Sequence, residues 1–180
     1  MTMKNSVLLS GDEMALAINR ISLQVLEKNH SPDNLAIVGI HTCGVFLARR
    51  MRAFIESQTT LLLPYGSLDI NLYRDDWSLI TENPVVKTTD IDFDVEGKNV
   101  ILVDDVLFTG RTIRAAMEAL MDYGRPRSIQ LAILIDRGGR ELPIQADYVG
   151  LTTSVRIDER IEVKMQELSG RDEVVLQSQE

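Results

Sequence analysis

One unit, met twice along this chain, leaves few folds open: a short apolar run, a turn holding glycine, then a stretch of helical spacing. Leu35–Ile40 leads into His41-Thr42-Cys43-Gly44 and a helix expected over 45–57. Residues 99–103 lead into a polar loop and a helix expected over 111–123, which Gly124 and Pro126 stop. An apolar run without polar alternation is what a strand buried on both faces requires. Strands of that kind joined through helices share a sheet in parallel, because each helix carries the chain back across the sheet. The expected fold is therefore α/β, a central and mainly parallel sheet flanked by helices. Further strands are expected at 59–65 and 128–135. A first helix follows Ser10-Gly11-Asp12-Glu13, where Met14, Ala17, Ile18, Ile21, Val25 and Leu26 recur at helical spacing, and residues 29–34, with Pro32, end it. Residues 66–87 are polar, lack a steady period and read as a mobile extended arm carrying Tyr73-Arg74-Asp75-Asp76. The 180 residues suit a single domain, 1–180.

Composition removes several classes. With 44% hydrophobic and 26% charged residues the chain is not disordered, and 19 Lys and Arg against 27 Asp and Glu give a net charge of −8. That balance argues against a mainly electrostatic grip on nucleic acid or on an anionic membrane. Cys43 is the one cysteine, so no intrachain disulfide can form, and two His beside it are too few for a structural zinc site. The apolar run near the N-terminus is too short for a signal-peptide core, and none approaches the ~18 residues of a membrane span. A cytoplasmic protein without membrane attachment is expected.

Ligands of open parallel sheets sit beyond the carboxyl ends of strands, against helix starts. The most informative such turn is Val100-Ile101-Leu102-Val103-Asp104-Asp105-Val106-Leu107-Phe108-Thr109-Gly110-Arg111-Thr112. Gly110 lets backbone approach a ligand closely, the threonine hydroxyls add donors, and the helix dipole favours a phosphate. Asp104 and Asp105 cannot bind that phosphate, but they accept hydrogen bonds from vicinal hydroxyls beside it. A sugar phosphate satisfies both halves. An acidic pair at a strand end also suits a solvated turn or a helix cap. Phospho-accepting receiver domains share a Val-Asp-Asp strand end, but there it closes the first strand. Neither GxxxxGK[ST] nor GxGxxG occurs.

At this loop a resemblance becomes specific. Val100 to Thr112 resembles the motif for phosphoribosyl pyrophosphate (PRPP) in type I phosphoribosyltransferases: an apolar run, two acidic residues, then Thr-Gly-x-Thr. It is joined by Leu72-Tyr73-Arg74-Asp75-Asp76, Gly124-Arg125-Pro126, Ser128-Ile129-Gln130-Leu131-Ala132 and Asp136-Arg137-Gly138-Gly139-Arg140-Glu141-Leu142-Pro143-Ile144. Together these resemble the pyrimidine operon attenuator/uracil phosphoribosyltransferase family, the PyrR type, from about Val7 to the C-terminus. The resemblance implies a type I phosphoribosyltransferase fold, a small hood built from about residue 137 onward with the N-terminal helix, and a homo-oligomer, dimer or larger. It implies the reaction of uracil with PRPP to give UMP and pyrophosphate, with magnesium carried in by PRPP rather than held by the chain. Asp104 and Asp105 would hold the ribose hydroxyls, the loop ending at Thr112 the 5′-phosphate, and Thr42, Cys43 and Gly44, with Arg74 from the arm, the pyrophosphate. Arg137 and the Ser154-Val155 segment would form the base pocket.

Two departures bear on function. Where the family usually has Lys-Thr-Arg-Gly, this chain has His41-Thr42-Cys43-Gly44, which removes a charge-assisted clamp from pyrophosphate. The family's other activity, UMP-dependent attenuation through pyrimidine operon RNA, would use the first helix and the segment after Gly138. There, Asn19 and Leu23 replace Thr and His; further on, Gly139, Gln145, Leu151 and Val155 replace other RNA-facing residues, and Arg140 is kept. Residues 137–164 hold five basic and five acidic side chains, so counterion release contributes little. The enzyme is the first reading, the attenuator the second. A transferase for a purine base is the third, disfavoured by the 136–144 run.

Overall fold

Ser10 sets the first helix. Its hydroxyl accepts from the Glu13 N–H (3.3 Å) while the Glu13 carboxylate accepts from the Ser10 N–H (2.8 Å). This reciprocal cap satisfies two otherwise orphaned donors and starts α1 (Gly11–Lys28), whose buried positions include Met14, Ala17, Ile18, Ile21 and Val25. The computed structural model describes residues 3–30, 32–75 and 88–179.

The remaining elements, in chain order, follow β1 (Met3–Leu9) and α1. They are β2 (Leu35–Ile40), α2 (Cys43–Gln58), β3 (Tyr65–Leu68), β4 (Asn99–Leu107), α3 (Arg111–Met121), β5 (Ser128–Asp136), β6 (Tyr148–Thr152), β7 (Glu159–Lys164), α4 (Gln166–Ser169) and β8 (Glu173–Gln179). The main sheet runs β3-β2-β4-β5-β6, with every neighbouring pair parallel. A second sheet, β1-β8-β7, is antiparallel.

Alternation along β4 sorts the core into two layers. Ile101 and Val103 join α1 and α2 on one face, together with Ile161, Val163 and Val174 of the small sheet. Val100 and Leu102 join Ile113, Ala116 and Leu120 of α3 on the other. The small sheet is also tied to α2 by charge. The Arg50 guanidinium donates to Glu167 (2.7 Å) and Asp172 (2.8 Å), and it holds the Asp172 carboxyl below its ordinary range. Among the described residues no helix is long and apolar enough to cross a membrane.

The structure departs from the sequence reading at three places. The strand expected at 59–65 lies later, at Tyr65–Leu68, because register with β2 begins at Ile37↔Tyr65. Within the expected span Leu63 is buried and Leu62 is 84% exposed. Gly66, Ser67 and Leu68 therefore belong to the sheet and not to an arm; of the rest of that arm, 76–87 lies outside the described residues. Finally, β4 runs on to Leu107 and pairs there with Asp136. The acidic pair thus sits within the strand and not at its end.

Candidate functional site

Two turns leave the carboxyl edge of the main sheet, one after β2 and one after its neighbour β4, and residues 41–44 are not among those lining the cavity at the second. The first is the link from β2 to α2. A Cβ at Gly39 would fall 2.5 Å from the Gly44 carbonyl oxygen, and one at Gly44 would fall 2.4 Å from the Val103 carbonyl oxygen and 3.1 Å from the Asp104 Cα. Only glycine at both positions lets the first turn of α2 rest on β4. The His41–Thr42 peptide in this turn is cis. Thr42 offers no side-chain cap to α2. The half-buried Cys43 packs against the core, with its thiol 3.8 Å from the Val163 carbonyl oxygen.

The second turn follows β4. Gly110 has φ +92°, in the left-handed region, and starts α3 without a side-chain cap. The Thr109 hydroxyl accepts from the Arg111 N–H (3.3 Å), and the Thr109 carbonyl accepts from the N–H groups of Glu141 (3.0 Å) and Leu142 (3.1 Å). The loop thereby fixes the segment after β5. Around it lies a cavity of about 300 Å³ lined by residues 106–113 together with Arg74 and Glu141. Arg111 stands at its mouth, donating to Asp75 (2.6 Å) and Glu141 (2.7 Å). Arg114 donates to the Tyr73 carbonyl (2.8 Å) and the Tyr73 hydroxyl donates to Asp122, so α3 holds the segment that carries Arg74. Val106, Leu107, Phe108, Thr109, Gly110, Arg111 and Thr112 thus share one concave surface with Arg74. Val100, Ile101 and Leu102 have no exposed surface and Val103 has 2%. These four build the strand and, contrary to expectation, leave ligand contact to the residues after them.

The two aspartates differ. Asp104 is only 5% exposed, whereas Asp105 is half-buried. The Asp104 carboxylate accepts from the Asp105 N–H (2.9 Å) and the Asp105 carboxylate from the Val106 N–H (3.0 Å). Burial first, and the neighbouring Asp105 charge second, push the Asp104 carboxyl well above the usual carboxylate range. The folded chain therefore binds this proton more tightly than the unfolded chain does. Its contribution to stability is full below an ordinary carboxylate pKa of about 4 and is lost as pH rises through the raised value. Thermal unfolding of Asp104→Asn is expected to lack this fall, so its Tm should exceed that of wild type by a margin that widens with pH and then levels. Parallel curves would show that the carboxyl is not a buried charge.

Arg137, just after β5, lies with its guanidinium carbon 4.1 Å from the Phe108 ring centroid and donates to the Arg156 carbonyl oxygen (3.2 Å). The Thr153 N–H donates to the Asp136 carbonyl oxygen (2.9 Å), so the loop after β5 and the 153–156 segment adjoin. Val155, between these contacts, is half-buried against the core. Sequence reasoning missed the part played by Glu141 at the cavity mouth and the inward use of Arg140. That guanidinium donates to Asp136 (2.5 Å), the Ile144 carbonyl (2.9 Å) and the Phe108 carbonyl (2.9 Å). The Asp-Arg-Gly-Gly-Arg spacing was the available signal: two arginines around two left-handed glycines, Gly138 (φ +71°) and Gly139 (φ +74°). Among the described residues no three His, Cys, Asp or Glu side chains cluster to hold a metal ion.

Known proteins resemble this chain in sequence and in fold. The family model of the phosphoribosyl transferase domain matches residues 5–168. A protein of Deinococcus radiodurans called bifunctional protein PyrR is 48% identical over 176 residues, covering 98% of this chain and 96% of its own length. One of the same name from Caldicellulosiruptor bescii is 51% identical over 170 residues, covering 94% and 93%. Among solved structures, hypoxanthine phosphoribosyltransferase of Trypanosoma cruzi superposes with a TM-score of 0.73 at 18% identity, over 94% of each chain. A hypoxanthine-guanine phosphoribosyltransferase of Bacillus anthracis gives 0.71 at 17%, over 99% of this chain and 100% of its own. At those identities the likeness speaks for the fold, a type I phosphoribosyltransferase sheet, while the relatives speak for descent. On their length and identity the chain belongs to the phosphoribosyltransferase family, within its PyrR branch.

Proposed function

We propose that this chain is a uracil phosphoribosyltransferase of the pyrimidine operon regulator type, converting uracil and PRPP to UMP and pyrophosphate. The observation that supports it most is the 106–112 loop: a left-handed glycine, an uncapped helix start and threonine hydroxyls around a cavity, with Asp105 just upstream. The bond from C1 of the ribose to pyrophosphate breaks, the bond from C1 to the uracil nitrogen forms, and the nitrogen's proton passes to solvent. C1 is electron-poor between these events, so positioning and nearby negative charge supply most of the help. The backbone and hydroxyls of Thr109–Thr112 hold the 5′-phosphate. Asp105, with Asp104 behind it, accepts from the ribose hydroxyls. Thr42, Cys43 and Gly44 receive the pyrophosphate, with Arg74 as the nearby cation, and Arg137 with Val155 faces the base.

Magnesium fits this set of donors. The ion would be carried in by PRPP, whose phosphate oxygens with water would supply its ligands, and the half-buried Asp105 carboxylate nearby suits its charge without holding it directly. When bound with PRPP it neutralises charge on the departing pyrophosphate. We place the protein in the cytoplasm, as a homo-oligomer with residues 1–180 forming one domain and the antiparallel sheet serving as its hood.

The second reading, UMP-dependent binding of pyrimidine operon RNA, accords with the relatives' name, bifunctional. Against it stands Arg140, the one retained arginine of the RNA-facing set, whose guanidinium is spent on Asp136 and on carbonyls inside the fold. The deciding experiment pairs a uracil and PRPP turnover assay with an RNA mobility shift in the presence and absence of UMP. Turnover without a shift supports the enzyme; a UMP-dependent shift without turnover reverses the order.

Cys43→Arg tests the pyrophosphate turn. The thiol is directed at the Val163 carbonyl, whereas a guanidinium on a longer side chain offers paired donors and a permanent charge. A charge-assisted hydrogen bond is worth about 1.5–3 kcal/mol, so KM for PRPP should fall by roughly tenfold or more and KM for uracil should barely move. A folded variant, checked by its thermal transition, with unchanged PRPP kinetics would remove this turn from the site.

A further inference from the structure

Phe108 belongs to two neighbourhoods at once. It lines the cavity of the 106–112 loop, and its ring also meets the loop after β5. The Arg137 guanidinium lies over that ring at 4.1 Å, a separation at which a planar cation rests on the π face. One Nη of Arg137 donates to the Arg156 carbonyl oxygen, and Nε is buried with no partner among the described residues. Gly139 makes room for the stack, since a Cβ there would fall 2.5 Å from Phe108 Cε2 and 3.0 Å from Cδ2. The Phe108 backbone is pinned in turn, through its carbonyl, by Arg140 (2.9 Å). Yet the ring is not needed to fill a core, for Phe108 remains 41% exposed. An aromatic side chain held in place at both ends, half in water and under a cation, orients that cation.

We infer that Phe108 is a positioning residue for base selection: its ring holds the Arg137 guanidinium flat and aimed at a carbonyl oxygen of the pyrimidine, and Gly139 permits the stack. This rests on the proposed placement of Arg137 at the base. Because Phe108 sits one residue before the Thr109–Thr112 phosphate cradle, the same loop that grips the sugar phosphate also sets the group that reads the base.

The test is steady-state kinetics on the full chain, with uracil and PRPP varied separately. At an exposed ring, cation–aromatic contacts correspond to roughly a two- to fivefold change in an equilibrium. Phe108→Leu is expected to raise KM for uracil by about that factor, and KM for PRPP by much less. Phe108→Tyr keeps the ring and should restore the wild-type value. Gly139→Ala crowds the ring from the other direction and, at φ +74°, also strains the loop that carries Arg137, so KM for uracil should rise at least as far as in the leucine variant. In an Arg137→Ala background, Phe108→Leu should add nothing further. If both ring-displacing variants leave KM for uracil unchanged while Arg137→Ala raises it, the positioning role is overturned and the base contact stands. If Arg137→Ala itself leaves KM for uracil unchanged, the base placement fails, and the inference with it. Equal rises in both KM values for Phe108→Leu would assign the ring to the phosphate loop and overturn the inference.

Discussion

Gly110→Val is expected to abolish binding of UMP and of PRPP. At φ +92° a side chain is strained whatever space surrounds it, and this position is also crowded, with the Ile144 Cβ 3.3 Å and the Leu142 Cβ 3.5 Å from where a Cβ would sit. A β-branched residue is the least able to adopt that conformation. The backbone must then turn elsewhere, and the N–H groups at the start of α3 lose their common aim. A displacement of about 1 Å in such a cradle is enough for losses of ~100-fold. Isothermal calorimetry with UMP reads the result directly, and a thermal melt separates lost binding from lost folding. Undiminished affinity in a folded variant would place the phosphate site away from this loop.

Asp105→Asn is expected to lower kcat/KM for PRPP by about 10²–10³-fold while Tm stays close to wild type. Removing one group that stabilises developing charge typically costs about 2.7–4 kcal/mol of barrier, and a half-buried carboxylate in a strand contributes little to packing. Asp104→Asn should lose much less activity. The amide matches the buried carboxyl in shape and lacks the charge that burial there disfavours, so the exchange changes little at the site. Turnover within twofold of wild type in Asp105→Asn would remove the ribose-holding role. Equal losses in both variants would give Asp104 the same part in turnover as Asp105. The pair reads as two equivalent carboxylates in the sequence; only depth in the sheet separates them.

That difference marks how far the sequence could be read. The first helix was legible because Ser10 and Glu13 cap it locally and its apolar spacing needs no knowledge of the partner. β2 and the start of β4 were legible because runs such as Leu35–Ile40 are buried on both faces. The glycine of the 106–112 loop was legible because a left-handed turn before a helix leaves few alternatives. β3 was not, since Leu61-Leu62-Leu63 imitates a strand and only the register against β2 decides otherwise. Nor were β7, where charges flank Ile161 and Val163, and β8, whose partner on one side is β1, at the other end of the chain. In the candidate site, the residue types were legible and their depth was not. Arg140 could not be sorted from a surface cation because three of its four acceptors are backbone carbonyls, which leave no mark on a sequence.

Since Gly44 rests on the Val103 carbonyl, the turn at 42–44 has no seat until β2 has found β4, its partner far along the chain. Pairings so distant form late, because a long stretch of chain must first be closed. Until that pairing forms, a refolding chain lacks the seat on which this turn rests. α1 and α3 can regain helical signal while that seat does not yet exist. Ligand present during refolding would not hasten the search; it would act only afterwards, slowing the escape of molecules that had already completed the sheet.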